Sequence, residues 1–242
     1  MSSQAAATLP ALGRPAESRT EEWLSFARRN PSLVVGVLFW PRGASSVVGD
    51  DLADAFRRGT AYLTQAVDWA LGTRRDPPDT AAAAVTAGIR LDEALRGYLA
   101  EQGAKRLSKE DLWMLVVATM QLRLTSTSLA SLQALEPARH HHPGLTLGRA
   151  ALERDLADLA GFYERVAALV GRPAPHEVVR PVSIPALVGL DGHGGIVRAI
   201  TAPRLPHLLW VEECLKHLSS HAQAITGPAS HMAEQRRLPW WR

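Results

Sequence analysis

The stretch LVVGVLFWPRGA, residues 33–44, decides how the rest of the chain is read. Eight apolar or small residues run directly into a Pro-Arg-Gly corner. Three readings compete for it: a buried strand, part of a core helix, or the end of a membrane-crossing helix. Eight helical residues rise about 12 Å, well short of the ~30 Å hydrocarbon layer, so the segment cannot cross a bilayer unaided. Nowhere else is there the run of about 20 apolar residues that a span needs.

Around that stretch the sequence has an ordinary globular balance. Its 242 residues are 46% hydrophobic and 21% charged, with a formal net charge of +3, enough for one large or two small domains. Lysine is confined to Lys105, Lys109 and Lys216, so the cationic side chains are almost all arginine. They are interleaved with acids, as in Arg57-Arg58 after Asp50, Asp51 and Asp54, rather than gathered on one face, which argues against a nucleic-acid partner. Cys214 is the single cysteine, which excludes an intrachain disulfide framework and a cysteine-rich zinc site. Residues 1–31 have no charged start followed by an apolar core, so they read as a flexible leader and not as a secretory signal.

Beyond residue 44 the hydrophobic period is helical throughout. Leu52, Phe56, Leu63, Val67 and Leu71 share one stripe, with Asp50 or Asp51 as the expected N-cap and Gly72 with the following RRDPPD as the stop. Asp79 is the expected cap of a second helix through Val85, Ile89, Leu91, Leu95, Tyr98 and Leu99, ending near Gly103. Ser108 with Asp111 resembles a capping box at the head of a third helix, residues 109–135, stopped by Glu136-Pro137. A fourth helix is expected over residues 147–170, its stripe built from Leu152, Leu156, Leu159, Phe162, Val166 and Leu169. Prolines and the GLDGHGG run make residues 172–206 a long connection with at most a short helix at 197–201, and a last helix is expected over residues 208–225. The expected architecture is therefore all-α, an antiparallel bundle of about five main helices. Its divisions are a leader (1–31), an apolar stub and corner (32–44), a four-helix bundle (45–171), the connection (172–206), and a final helix with a Trp-rich tail packed on the bundle (207–242).

The order of VVGVLFWPRGA, LADAFRRGTAYL, RLDEALRGYLAEQGAK, LLWVEECLKHLSSH and the terminal PWWR resembles the C-terminal cytoplasmic region of actinobacterial members of the fusaric-acid-resistance transporter family. That family is similar to aromatic-acid exporters and to plant aluminium-activated malate transporters. The resemblance covers residues 32–242 and rests on the order of soft motifs, not on a catalytic signature. It implies a non-catalytic helical domain at the cytoplasmic face of the membrane, attached to a membrane-spanning part that exports aromatic or other organic acids. On that reading residues 33–40 are the stub of the last span. Leu33, Val34, Val35, Val37, Leu38, Phe39 and Trp40 then contact the membrane, with Arg42 at the headgroups and Trp240 and Trp241 as a second contact. The family's spanning part would precede Leu33, where this sequence has only the leader.

Other candidate chemistry is thin. Glu213, His217 and His221 step by four near Cys214, a spacing that could present three groups to one cation; collinear ligands on one straight helix do not close a tetrahedron. His140, His141 and His142 read as a solvated turn, and the GLDGHGG run lacks the spacing and the preceding strand of a nucleotide loop. Thr125, Ser126, Thr127, Ser128 and Ser131 lack a paired base and read as helix-contact hydroxyls. Trp69, Trp113 and Trp210 read as core residues. No cofactor is implied. The expected partners are a membrane surface or the spanning part of a transporter, with a second copy of the chain as a further candidate. The alternative from another class is a soluble helical adaptor that binds a protein, and a third is a metal-responsive regulator using Glu213, His217 and His221.

Overall fold

The computed structural model describes residues 44–100, 108–132, 143–171, 187 and 205–237. All of them belong to the part of the chain from Ala44 to Arg242, and residues 33–43 lie outside the described set. The described part is an all-α bundle of five helices, with no strand among the described residues. They are α1 (Ala44–Leu71), α2 (Ala81–Ala100), α3 (Lys109–Ala130), α4 (Pro143–Val170) and α5 (Leu205–Arg237).

Helix α1 is the centre. It packs against α2, α3 and α4, while α5 closes the far side against α3 and α4. Cross-contacts fix the directions. Trp69 of α1 donates its indole N–H to the Leu132 carbonyl past the end of α3, 2.9 Å, and Gly59 lies beside Leu122, so α1 and α3 run the same way. Gln65 of α1 holds Thr80 of α2 and Asp54 pairs with Arg90, while Phe56 stacks on Tyr163 and Gly49 lies beside the Val170 carbonyl, so α2 and α4 run against α1.

Contact with three neighbours explains why α1 is apolar around most of its circumference: Leu52, Phe56, Leu63, Val67 and Leu71 are fully buried, and so are Ala66 and Ala70 between them. Tyr163 ties three helices at once. Its ring stacks on Phe56 at 5.9 Å and meets Phe162 edge-on at 5.3 Å, while its hydroxyl donates to the Leu218 carbonyl of α5 at 3.3 Å. Burial raises the Tyr163 pKa, so the phenol stays a donor. The α4 stripe is as expected: Leu152, Leu156, Leu159, Phe162, Val166 and Leu169 are all buried.

Several boundaries differ from the sequence reading, and α4, expected from 147, begins at Pro143. Helix α1 begins at Ala44, so Asp50 and Asp51 lie in its second turn and cap nothing. Val48 is fully buried, and packing draws the helix back past the acids. At the other end Gly72 adopts a positive φ of 70° and the Thr73 N–H returns to the Asp68 carbonyl, the glycine-terminated stop that was expected. The start of α2 uses the Thr80 carbonyl, which accepts from the Ala84 N–H, and not Asp79. The Asp79 N–H is instead held by the Gln65 side chain at 2.9 Å. Helix α3 ends at Ala130 with Ser131 as its C-cap, before the expected 135. Helix α5 runs twelve residues beyond the expected 225, straight through Gly227 and Pro228. A proline in a helix interior costs about 3 kcal/mol. Here the helix continues because Ala229, Met232 and Ala233 are buried beyond it, and because Arg236 anchors its end. The Arg236 guanidinium donates to the Val170 carbonyl at the end of α4 and to Asp50 of α1, 2.9 Å, closing over Gly49. The segment at 197–201, Gly103 and Glu136-Pro137 lie outside the described residues.

Candidate interaction surface

The site assembled by the fold is a surface, and it comes from helix phase. In α3 the inward positions are Leu112, Leu115, Ala118, Thr119, Leu122, Ser126 and Leu129, all buried. The outward stripe Trp113, Val117, Met120 and Leu124 is apolar too, and three of its members are open to solvent: Trp113 at 62%, Met120 at 47% and Leu124 at 56%. A helix apolar on both sides is expected inside a protein, yet among the described residues α3 is covered on one side only. Its N-terminus is built to last: the Ser108 hydroxyl accepts from the Asp111 N–H at 3.3 Å, with Glu110 and Asp111 in the first turn.

Helix α2 lies beside α3, antiparallel, and adds Val85, Ile89 and Leu99 to the same outer side. Of the apolar positions through which this helix was expected to run, Leu91 and Tyr98 are buried, together with Ala84 and Ala87, while Val85, Ile89 and Leu99 point outward. Of the eleven large apolar side chains exposed among the described residues, six are on this side of α2 and α3, more than on any other helix.

Between the two helices lie two hollows, the first floored by Ala55 and Gly59 of α1. One cavity of about 70 Å³ is lined by Gly59, Gly88, Leu91, Asp92, Met120 and Arg123. A more open one of about 340 Å³ is lined by Leu95, Leu99, Lys109, Glu110, Leu112 and Trp113. Two glycines shape the first. A side chain at Gly59 would press to 2.8 Å of Leu122, and one at Gly88 would reach 3.0 Å from the Arg123 guanidinium, which lies across it. The surround carries both signs: Asp92, Glu93, Arg96, Lys109 and Glu110 are exposed beside it. On another side of α2, Asp54 of α1 pairs with Arg58 at 3.3 Å and with Arg90. Asp51, one turn before, has its pKa raised by desolvation, with Arg90 opposing the shift.

Trp113, like Trp210 at 48% exposed, is therefore not a core residue as expected; Trp69 alone of the three is half-buried and hydrogen-bonded. The sequence did hold the signal for the missed face: a second apolar stripe in α3, opposite the first. Of the helical hydroxyls expected at helix contacts, Ser126 is buried while Thr127 and Ser131 are exposed, and the three bond back to their own helix. Ser126 donates to the Leu122 carbonyl at 2.7 Å and Thr127 to the Arg123 carbonyl at 2.9 Å.

The candidate ligand set on α5 does not converge. Glu213 and His217 are exposed, the His217 and His221 rings sit 4.5 Å apart, and the His221 Nδ1 lies 2.9 Å from the His217 carbonyl. Among the described residues no group of three or more histidine, cysteine, aspartate or glutamate side chains is placed to hold a metal ion. Cys214 beside them is pushed up to about 11 by burial and by the Glu213 carboxylate, so it is a thiol and not a nucleophilic thiolate at neutral pH. The proposed membrane contacts Leu33, Val34, Val35, Val37, Leu38, Phe39, Trp40, Arg42, Trp240 and Trp241 lie outside the described residues, as do His140 to His142 and the GLDGHGG run. Among the described residues no helix is long and apolar enough to cross a membrane. No family model, no curated protein and no solved structure matches this chain.

Proposed function

We propose that this chain is a non-catalytic helical interaction module of a fusaric-acid-resistance-like membrane transporter, placed at the cytoplasmic face and acting by packing against protein. The observation that carries the packing role is the set of exposed apolar side chains on α2 and α3, helices that already bury another face in the core. An outward stripe as apolar as the inward one adds nothing to the monomer's own core, and it supplies the surface that an assembly buries. The transporter context rests on the order of sequence motifs from residue 32 onward and on the apolar run into Pro41-Arg42-Gly43. The process implied is export of aromatic or other organic acids by the spanning part, with this module contributing to assembly or gating.

Flotation of the full chain with phospholipid vesicles tests that context. Association is expected, and the double substitution Leu38→Asp with Phe39→Asp is expected to abolish it. A wild-type chain that stays entirely in the aqueous fraction leaves the soluble adaptor as the better reading. The metal-responsive alternative loses support from the geometry of α5, where the His221 ring is engaged by the His217 carbonyl of its own helix.

A further inference from the structure

We propose that the outer face of α2 and α3 is covered by a second copy of this chain in a two-fold symmetric dimer. The inference rests on reading that face as a docking surface, and it names the occupant. Three observations select a second copy.

The first is spacing. Trp113, Val117, Met120 and Leu124 are separated by steps of four, three and four residues, a series identical when reversed. A two-fold axis perpendicular to α3, midway between Val117 and Met120, therefore lays the stripe of one copy on that of the other. Trp113 meets Leu124 of the second copy and Val117 meets Met120. A larger side chain is thus set against a smaller one at each level, as close packing requires. In a two-fold interface each such contact occurs twice, and this is the commonest symmetry of homo-oligomers.

The second is area. Helices α2 and α3 have 20 and 22 residues. At 1.5 Å per residue and a helix spacing near 10 Å, their outer face measures roughly 30 by 20 Å. That buries on the order of 600 Å² per copy and 1,200 Å² in all, the lower edge of a stable specific interface. The third is charge. The rim is mixed, with Arg96, Lys109 and Arg123 against Asp92, Glu93 and Glu110, so bringing two identical faces together opposes no net charge. A face selected for anionic lipid would carry an excess of cations.

Sedimentation velocity of the full chain over a range of concentrations tests this. A reversible dimer is expected, and Trp113→Gln with Leu124→Gln is expected to give a monomer with an unchanged far-ultraviolet circular dichroism spectrum. Leu147→Gln, an exposed position on α4, is expected to leave the dimer intact and serves as the control. The register has its own readout: in a Cys214→Ser background, oxidation of a mixture of Val117→Cys and Met120→Cys chains is expected to yield the mixed disulfide several-fold above either self-pair. A chain that is monomeric at every concentration overturns the dimer, as does a dimer indifferent to both face substitutions. If that monomer still floats with vesicles, the transporter-module reading survives and only the occupant is wrong.

Discussion

Helices α3 and α4 have the same kind of inner face and opposite kinds of outer face. Both bury a continuous stripe, Leu112 to Leu129 in one and Leu152 to Val170 in the other. Outward, α4 presents Glu153, Arg154, Asp158, Glu164 and Arg165, the solvated surface of a helix with nothing left to bury. Outward, α3 presents Trp113, Met120 and Leu124. The inner stripes are answerable to the fold. The outer ones are free of it, so their chemistry reports on what the molecule meets.

Substitutions on the two kinds of face separate the roles. Phe162→Ala removes a fully buried ring that meets Tyr163 edge-on, and urea unfolding is expected to show a loss of about 3–5 kcal/mol, among the largest a single change makes here. Ser108→Ala deletes the cap of α3 while leaving both faces intact, with an expected loss of about 1 kcal/mol by the same measurement. Trp113→Gln is expected to move the unfolding free energy of the isolated monomer by less than about 0.5 kcal/mol, although it removes the largest exposed side chain of α3. A loss comparable to that of Phe162→Ala would mean that Trp113 supports the core, and the contrast between the faces would collapse.

Most of the core was legible because period alone determines it when side chains are large. The stripe of α4 and the leucines of α1 needed no other information. The inner face of α2 was not assigned by its apolar positions, because it combines Leu91 and Tyr98 with the small Ala84 and Ala87, which a pattern of large apolar residues does not mark. Helix α5 was cut short because Gly227-Pro228 is a stop signal in isolation. The burial of Ala229, Met232 and Ala233, with the reach of Arg236 to Asp50, overrides it, and these are contacts far apart in the chain. The tryptophans were the costliest misreading. Placing Trp113 and Trp210 in the core follows from their apolar neighbours, but a helix with two apolar sides offers no way to choose which is inside. The histidines of α5 were readable as unpromising, since ligands in line on one helix do not enclose an ion.

The Arg236 anchor has a mechanical side. The guanidinium joins the last turn of α5 to the second turn of α1 and to the final carbonyl of α4. The earliest and latest helices of the bundle are thereby stapled at one end. A pull on the chain at Ala44 meets this tie before α1 can peel away alone, so the load is shared with α4 and α5.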